Sequence, residues 1–269
     1  MTIIGTFGYT LNTTIVYQIL NTFDAGGSIT VHTFGGYLGV GVSRILSCKA
    51  RPTMVLPKCK ITSTMAFIGV FFLWMYWPSI NAGYYSSTPF ERSLIILNTI
   101  LTLTGSCVGA FATSALFRHK FTLTDIFNAS LGGGVVIGAA SGLVTNPGAS
   151  LAIGFFSGII ETFCFMKLNH YLEEKIGLYD TCGVHTSHGI TGILGGIVSA
   201  IVLASYQVSP LAEEYVPLVP FHPNPIPERD YADQAGIQIA STFISVGMGL
   251  ITGIIAGLVL YRSYDFQEN

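Results

Sequence analysis

Apolar stretches about twenty residues long, each closed by a charged or proline-rich break, recur along this chain. A helix needs roughly 20 residues to cross a hydrocarbon core about 30 Å thick. Stretches of that kind fall at 1–20, 26–46, 63–83, 92–117, 127–145, 149–171, 184–206 and 235–261. The pattern predicts an all-α fold, a polytopic transmembrane bundle forming a single domain over 1–269, with a Pro-rich loop at 207–234. Small residues four apart, at Gly35/Gly39, Gly105/Gly109, Gly134/Gly138/Gly142, Gly154/Gly158, Gly192/Gly196 and Gly249/Gly253/Gly257, mark helix faces on which a neighbour can come close.

Charge supplies an independent check and an orientation. Loop 44–60 holds Arg44, Lys49, Arg51, Lys58 and Lys60, loop 118–120 holds Arg118 and Lys120, and later loops of the same parity hold Lys167, Lys175 and Arg262. Only Arg92 and Arg229 fall opposite, so the positive-inside rule places both termini in the cytosol and loop 207–234 outside. Charged residues make up 10% of the chain, against about 25% in soluble domains, so part of the solvent is lipid. A net charge of −2 without a basic face excludes nucleic acid as a partner. The cysteines at 48, 59, 107, 164 and 182 make no CxxC pair and no metal-ligand spacing, and read as free thiols. No cleaved signal peptide is recognisable at the start. With no nucleophile–base set and no nucleotide motif, the chain reads as neither an enzyme nor a cofactor binder.

Within a bilayer, an ionisable residue in a span is a functional candidate because burying it is costly. Four sites qualify: Asp24, His32, Glu161 and the segment from Asp180 to His188. Eight helical residues carry His32 about 12 Å inward from Asp24. The segment Asp180-Thr-Cys-Gly-Val-His185-Thr-Ser-His188 enters from the other face with the same order of Asp, Gly and His. Inverted repeats of this kind place a site near the midplane, between two halves. Imidazole, with an unperturbed pKa near 6.5 and both a donor and an acceptor nitrogen, suits a small weak base. Neutral ammonia meets a far lower solvation barrier in an apolar path than ammonium does.

Asp24-x-Gly-Gly-Ser-x-x-x-His-Thr-Phe-Gly, Phe72-Leu-Trp-Met-Tyr-Trp-Pro-Ser and Asp180-Thr-Cys-Gly-Val-His-x-x-His-Gly resemble signature segments of the Rh glycoproteins, a branch of the ammonium transporter family. The resemblance runs from near residue 1 to about 261. It implies a plasma-membrane homotrimer, embedded in the lipid bilayer, that conducts ammonia or ammonium, with carbon dioxide a second candidate gas. It also implies that His32 and His185 form the twin histidines of the pore and touch through their ring nitrogens. Asp24 then orients backbone and water below the outer vestibule, Asp180 is its inverted-repeat counterpart, and Leu73 and Trp77 line the pore wall. Ile80 stands where the family has the inner phenylalanine of an external gate, and Gly142 where many Rh proteins have an acid. About seven or eight of the family's eleven or twelve spans are expected here, in an N-terminally truncated chain lacking much of the first half-repeat. A non-conducting Rh-like scaffold is the alternative.

Blander readings stand beside these. His188 lies three residues after His185, roughly on one helix face, a pair open to metal binding, yet no third ligand is near in sequence. Glu161 reads as a proton relay, a bundle hydrogen-bonding group or a side chain facing a vestibule. His119, His170 and His222 read as solvated loop residues, and the aromatic run from Phe71 to Trp77 also fits an interfacial belt.

Overall fold

A computed structural model of the protein describes residues 1–47, 60–83, 89–119, 121, 123–207 and 229–265. Among them there is no strand, and eight helices form one bundle. Helix α1 runs Thr2–Thr13 and continues as a wider π-helical stretch, Thr14–Ile19. Helix α2 begins with a π-helical stretch, Ser28–Thr33, and proceeds as Phe34–Leu46. Helices α3, α4 and α5 are Lys60–Gly83, Pro89–Arg118 and Leu123–Ile137. Helix α6 joins Pro147–Phe163, Cys164–Leu168 and Asn169–Ile176. Helix α7 repeats the build of α2, π-helical over His185–Ile190 and then α-helical over Thr191–Gln207. Helix α8 is Tyr231–Asp265.

Five stretches are long and apolar enough to cross a membrane: Thr64–Gly83, Pro89–Arg118, Pro147–Ile176, His185–Tyr206 and Tyr231–Ser263. They make the chain an integral membrane protein. The three other predicted spans correspond to α1, α2 and α5. The buried Asn12 side chain ties α1 to both α2 and α8: Asn12 Nδ2 donates to the Thr30 carbonyl at 3.3 Å, and Ser245 Oγ donates to Asn12 Oδ1 at 3.0 Å. Most of loops 44–60 and 207–234 lies outside the described residues.

The glycine spacing finds its partners where α4 crosses α6. Side chains on Gly105 and Gly109 would strike the backbone at Leu151 and Phe155, and side chains on Gly154 and Gly158 would strike the Thr102 and Ser106 carbonyls. Backbone thus meets backbone, the contact that small-residue faces allow. Gly249 and Gly253 of α8 press likewise on α2 at Phe34 and Leu38. The expected Gly35/Gly39 face is not a packing face. Gly35 meets open space, and the close approaches on α2 are made by Gly36, against Gly189 of α7, and Gly41, against α8.

The span expected over 127–145 is helical only to Ile137. Beyond it the chain turns through buried positions up to Val144, so Gly138 and Gly142 do not extend a helix face. Irregular backbone at this depth must find internal partners, and three helices supply them. Ser28 Oγ donates to the Val135 carbonyl at 2.6 Å and accepts from Ala139 N at 2.7 Å. Asn98 Nδ2 of α4 donates to the Ser141 and Val144 carbonyls at 2.8 and 2.7 Å, and Tyr206 OH of α7 donates to the Leu143 carbonyl.

Candidate functional site

Two aspartates organise the entries to α2 and α7. Asp24 is buried, and its carboxylate accepts from Ile29 N at 3.1 Å, Thr30 N at 2.8 Å and Thr30 Oγ1 at 2.8 Å. Tyr17 OH braces the same corner, 2.7 Å from Thr30 Oγ1 and donating to the Asp24 carbonyl at 3.1 Å. Asp180 accepts from Val184 N and His185 N, both at 2.9 Å. Each carboxylate therefore satisfies N–H groups that a helix start leaves open. The turn between is built alike in both copies. Gly27 and Gly183, each three residues after its aspartate, both have φ of +73°, a conformation costly for any residue with a Cβ.

The two helices then bring two imidazoles together. His32 Nδ1 and His188 Nδ1 are 3.2 Å apart, with the rings 5.1 Å between centroids and 12° from parallel. Trp77 of α3 extends the stack, 5.7 Å and 17° from His32 and 6.5 Å and 6° from His188. The indole is held by a close approach to Gly134 of α5, where a Cβ would collide with it. The expected partner was His185, and the structure corrects this. His185 packs edge-on to Tyr37 at 5.5 Å and 83°, with its backbone N–H engaged by Asp180. The reason lies in the repeat: Asp24 to His32 and Asp180 to His188 are both eight residues, whereas His185 is still in the capped first turn. The same divergence separates the suggested His185 and His188 metal pair, since the two rings turn to different neighbours.

Other expected site residues lie apart from this stack. Leu73 and Ile80, on α3 with Trp77, are 39% and 59% exposed, whereas Trp77 is 5% exposed. Glu161 is fully buried in α6. His170 is exposed and 3.2 Å from Glu174, and His222 lies outside the described residues. A cavity of about 390 Å³ opens at the entry to α7, lined by Gly39, Ser43, Tyr179, Asp180, Cys182 and His185 among others. Tyr17, Thr30 and Tyr37 were not singled out in the sequence. Tyrosine and threonine carry no spacing signal of their own, and only their distance from Asp24 and His185 gives them a role.

A hydrogen bond between two Nδ1 atoms requires one ring to donate and the other to accept. In a neutral pair, the donor ring then keeps a bare Nε2 and the acceptor ring keeps an Nε2–H. The pair presents one acceptor and one donor without net charge.

Comparison with known proteins matches residues 1–268 to the Ammonium Transporter Family. Ammonium transporter Rh type B of Oryzias latipes is 38% identical over 262 residues, covering 94% of this chain and 55% of that protein. Ammonium transporter Rh type C of Canis lupus familiaris is 35% identical over 272 residues, covering 97% and 57%. Among solved structures, Rh50 of Nitrosomonas europaea superposes with a TM-score of 0.79 at 29% identity, over 95% of this chain and 61% of that one. Mep2 of Candida albicans, at 19% identity and a TM-score of 0.69 over 90% of this chain and 51% of its own, shares the fold. This chain spans about half the length of the curated relatives it matches.

Proposed function

We propose, from the premise that this chain belongs to the Ammonium Transporter Family, that it supplies the histidine-lined centre of a path conducting ammonia or ammonium across a bilayer. The observation that carries the reading is the His32–His188 contact with Trp77 stacked beside it. Neutral ammonia donates N–H bonds and accepts one at its lone pair. It matches a bare Nε2 on one ring and an Nε2–H on the other, so the molecule passes from ring to ring without a charge crossing the apolar interior. Asp24 and Asp180 act through backbone. With its oxygens taken by Ile29 and Thr30, Asp24 sets where His32 stands rather than ligating the cation. Ile80 in place of an aromatic leaves the outer end without a stacking plate. The names of the relatives support the substrate, and full-length subunits assembled as a plasma-membrane trimer are part of the same proposal.

The test is paired flux and current in proteoliposomes holding the full-length protein, with methylammonium as the probe. The reading expects saturable uptake with His32→Ala reducing it at matched incorporation. Uptake unchanged in both His32→Ala and His188→Ala would reduce the pair to packing and favour a non-conducting scaffold.

A further inference from the structure

Glu161 has no place in the path just described, yet its surroundings are specific. It lies in the Pro147–Phe163 stretch of α6 with 0% of its surface exposed, and neither carboxyl oxygen has a hydrogen-bond partner among the described residues. Three buried hydroxyls, on Ser157, Thr162 and Ser187, share that condition, and two of them bear on the carboxyl. Ser157 Oγ is one turn earlier on the same face of α6, and Ser187 Oγ faces the carboxyl from α7. Thr191 cannot serve the carboxyl as a donor, because its hydroxyl closes on the Ser187 carbonyl. From α5, Gly132 closes the remaining side: a Cβ there would run into Glu161 Oε2 and press on Thr191 Cγ2.

The titratable group that interacts with it is Cys164, one turn further along its own helix, while the rings of His185 and His188 on α7 turn to Tyr37 and His32. Helix α4 meets α6 through backbone at Gly105 and Gly109, and no Lys or Arg among the described residues pairs with the carboxyl. An ionised carboxylate without a partner is among the costliest groups to keep in a bundle interior. A sodium or ammonium ion would neutralise it but needs volume, and the approach of Gly132 to the carboxyl takes that volume away. A proton needs none.

We propose that Glu161 is a proton-binding site in the interior of the bundle, kept as the neutral acid with the Ser187 hydroxyl accepting its O–H, one residue from His188. The proton comes from solvent and no bond other than the carboxyl O–H is made. Its effect is to remove a negative charge that would otherwise stand unpaired in the apolar interior of the bundle. The proposal concerns the resting protein and does not rest on the transport reading.

Infrared difference spectroscopy of the full-length protein in lipid vesicles, with 13C-labelled glutamate, reads it directly. Near neutral pH the carbonyl stretch of a protonated carboxylic acid is expected. It should move with the isotope label and vanish in Glu161→Gln, which distinguishes it from Glu91, the other buried glutamate among the described residues. Ser187→Ala should shift the band without removing it. No labelled acid band in the wild-type protein at neutral pH overturns the proposal, and this readout stands even if Glu161→Gln fails to fold. A band unmoved by Ser187→Ala overturns the assignment of the acceptor.

Discussion

His185 and His188 share one helix and three residues of separation, but their rings keep different company, and this separates their expected phenotypes. Replacing His188 with Ala leaves His32 Nδ1 without its partner at 3.2 Å and opens a gap beside Trp77. Loss of a buried partner costs about 1–3 kcal/mol, roughly five- to 150-fold in a rate governed by that contact. Methylammonium flux through the full-length protein should fall within that range for His188→Ala. For His185→Asn, which keeps the capped backbone N–H, flux should stay within about twofold. Equal losses in the two variants would place His185 in the path on the same footing as His188. The partner was legible from the sequence, since the eight-residue interval from Asp24 to His32 recurs only at His188. The roles of Tyr17 and Thr30 were not, because a buried hydroxyl acquires its function from a neighbour in space rather than from its interval along the chain.

At the level of elements, the crossing of α4 and α6 shows how far a repeat of small residues can be read and where it fails. Gly105, Gly109, Gly154 and Gly158 do what four-residue spacing suggests, because both helices run uninterrupted through the contact. On α2 the four-residue spacing of Gly35 and Gly39 picks out a face with no close neighbour, whereas Gly36 and Gly41, five residues apart, each meet a different helix, α7 and α8. The hydropathy of 127–145 likewise could not show that the helix stops at Ile137, since the turns beyond it are as apolar as a helix would be and their hydrogen bonds come from Ser28, Asn98 and Tyr206. Gly158→Val should therefore lower stability in mild detergent by about 1–3 kcal/mol or more through overpacking against Ser106. Gly35→Ala, into open space, should leave it unchanged within about 0.5 kcal/mol. Denaturant titration of the two purified variants provides the comparison, and similar losses would show that crowding at the crossing is not what the glycines relieve.

Across the whole molecule, α2 and α7 begin with the same aspartate, glycine and histidine arrangement and bring their histidines together, an arrangement expected of helices entering from opposite sides. By the positive-inside rule, the basic loops predict that the α7 entry faces the cytosol. In a variant keeping Cys182 as its single cysteine, this exposed thiol beside Asp180 should react with an impermeant maleimide in inside-out vesicles and not in intact cells. Labelling from outside would reverse the orientation. The turns after Ile137 carry a consequence for synthesis. Their carbonyls depend on Asn98, which leaves the ribosome earlier, and on Tyr206, made 63 residues after Leu143. Until α7 emerges, the Leu143 carbonyl lacks that donor, so α5 should wait at the translocon or the membrane interface and commit to the bilayer late. Nascent chains halted soon after residue 145 should leave α5 extractable by alkali, and chains halted beyond α7 should hold it. Tyr206→Phe should delay that step, making a single hydroxyl a checkpoint in the protein's own assembly line.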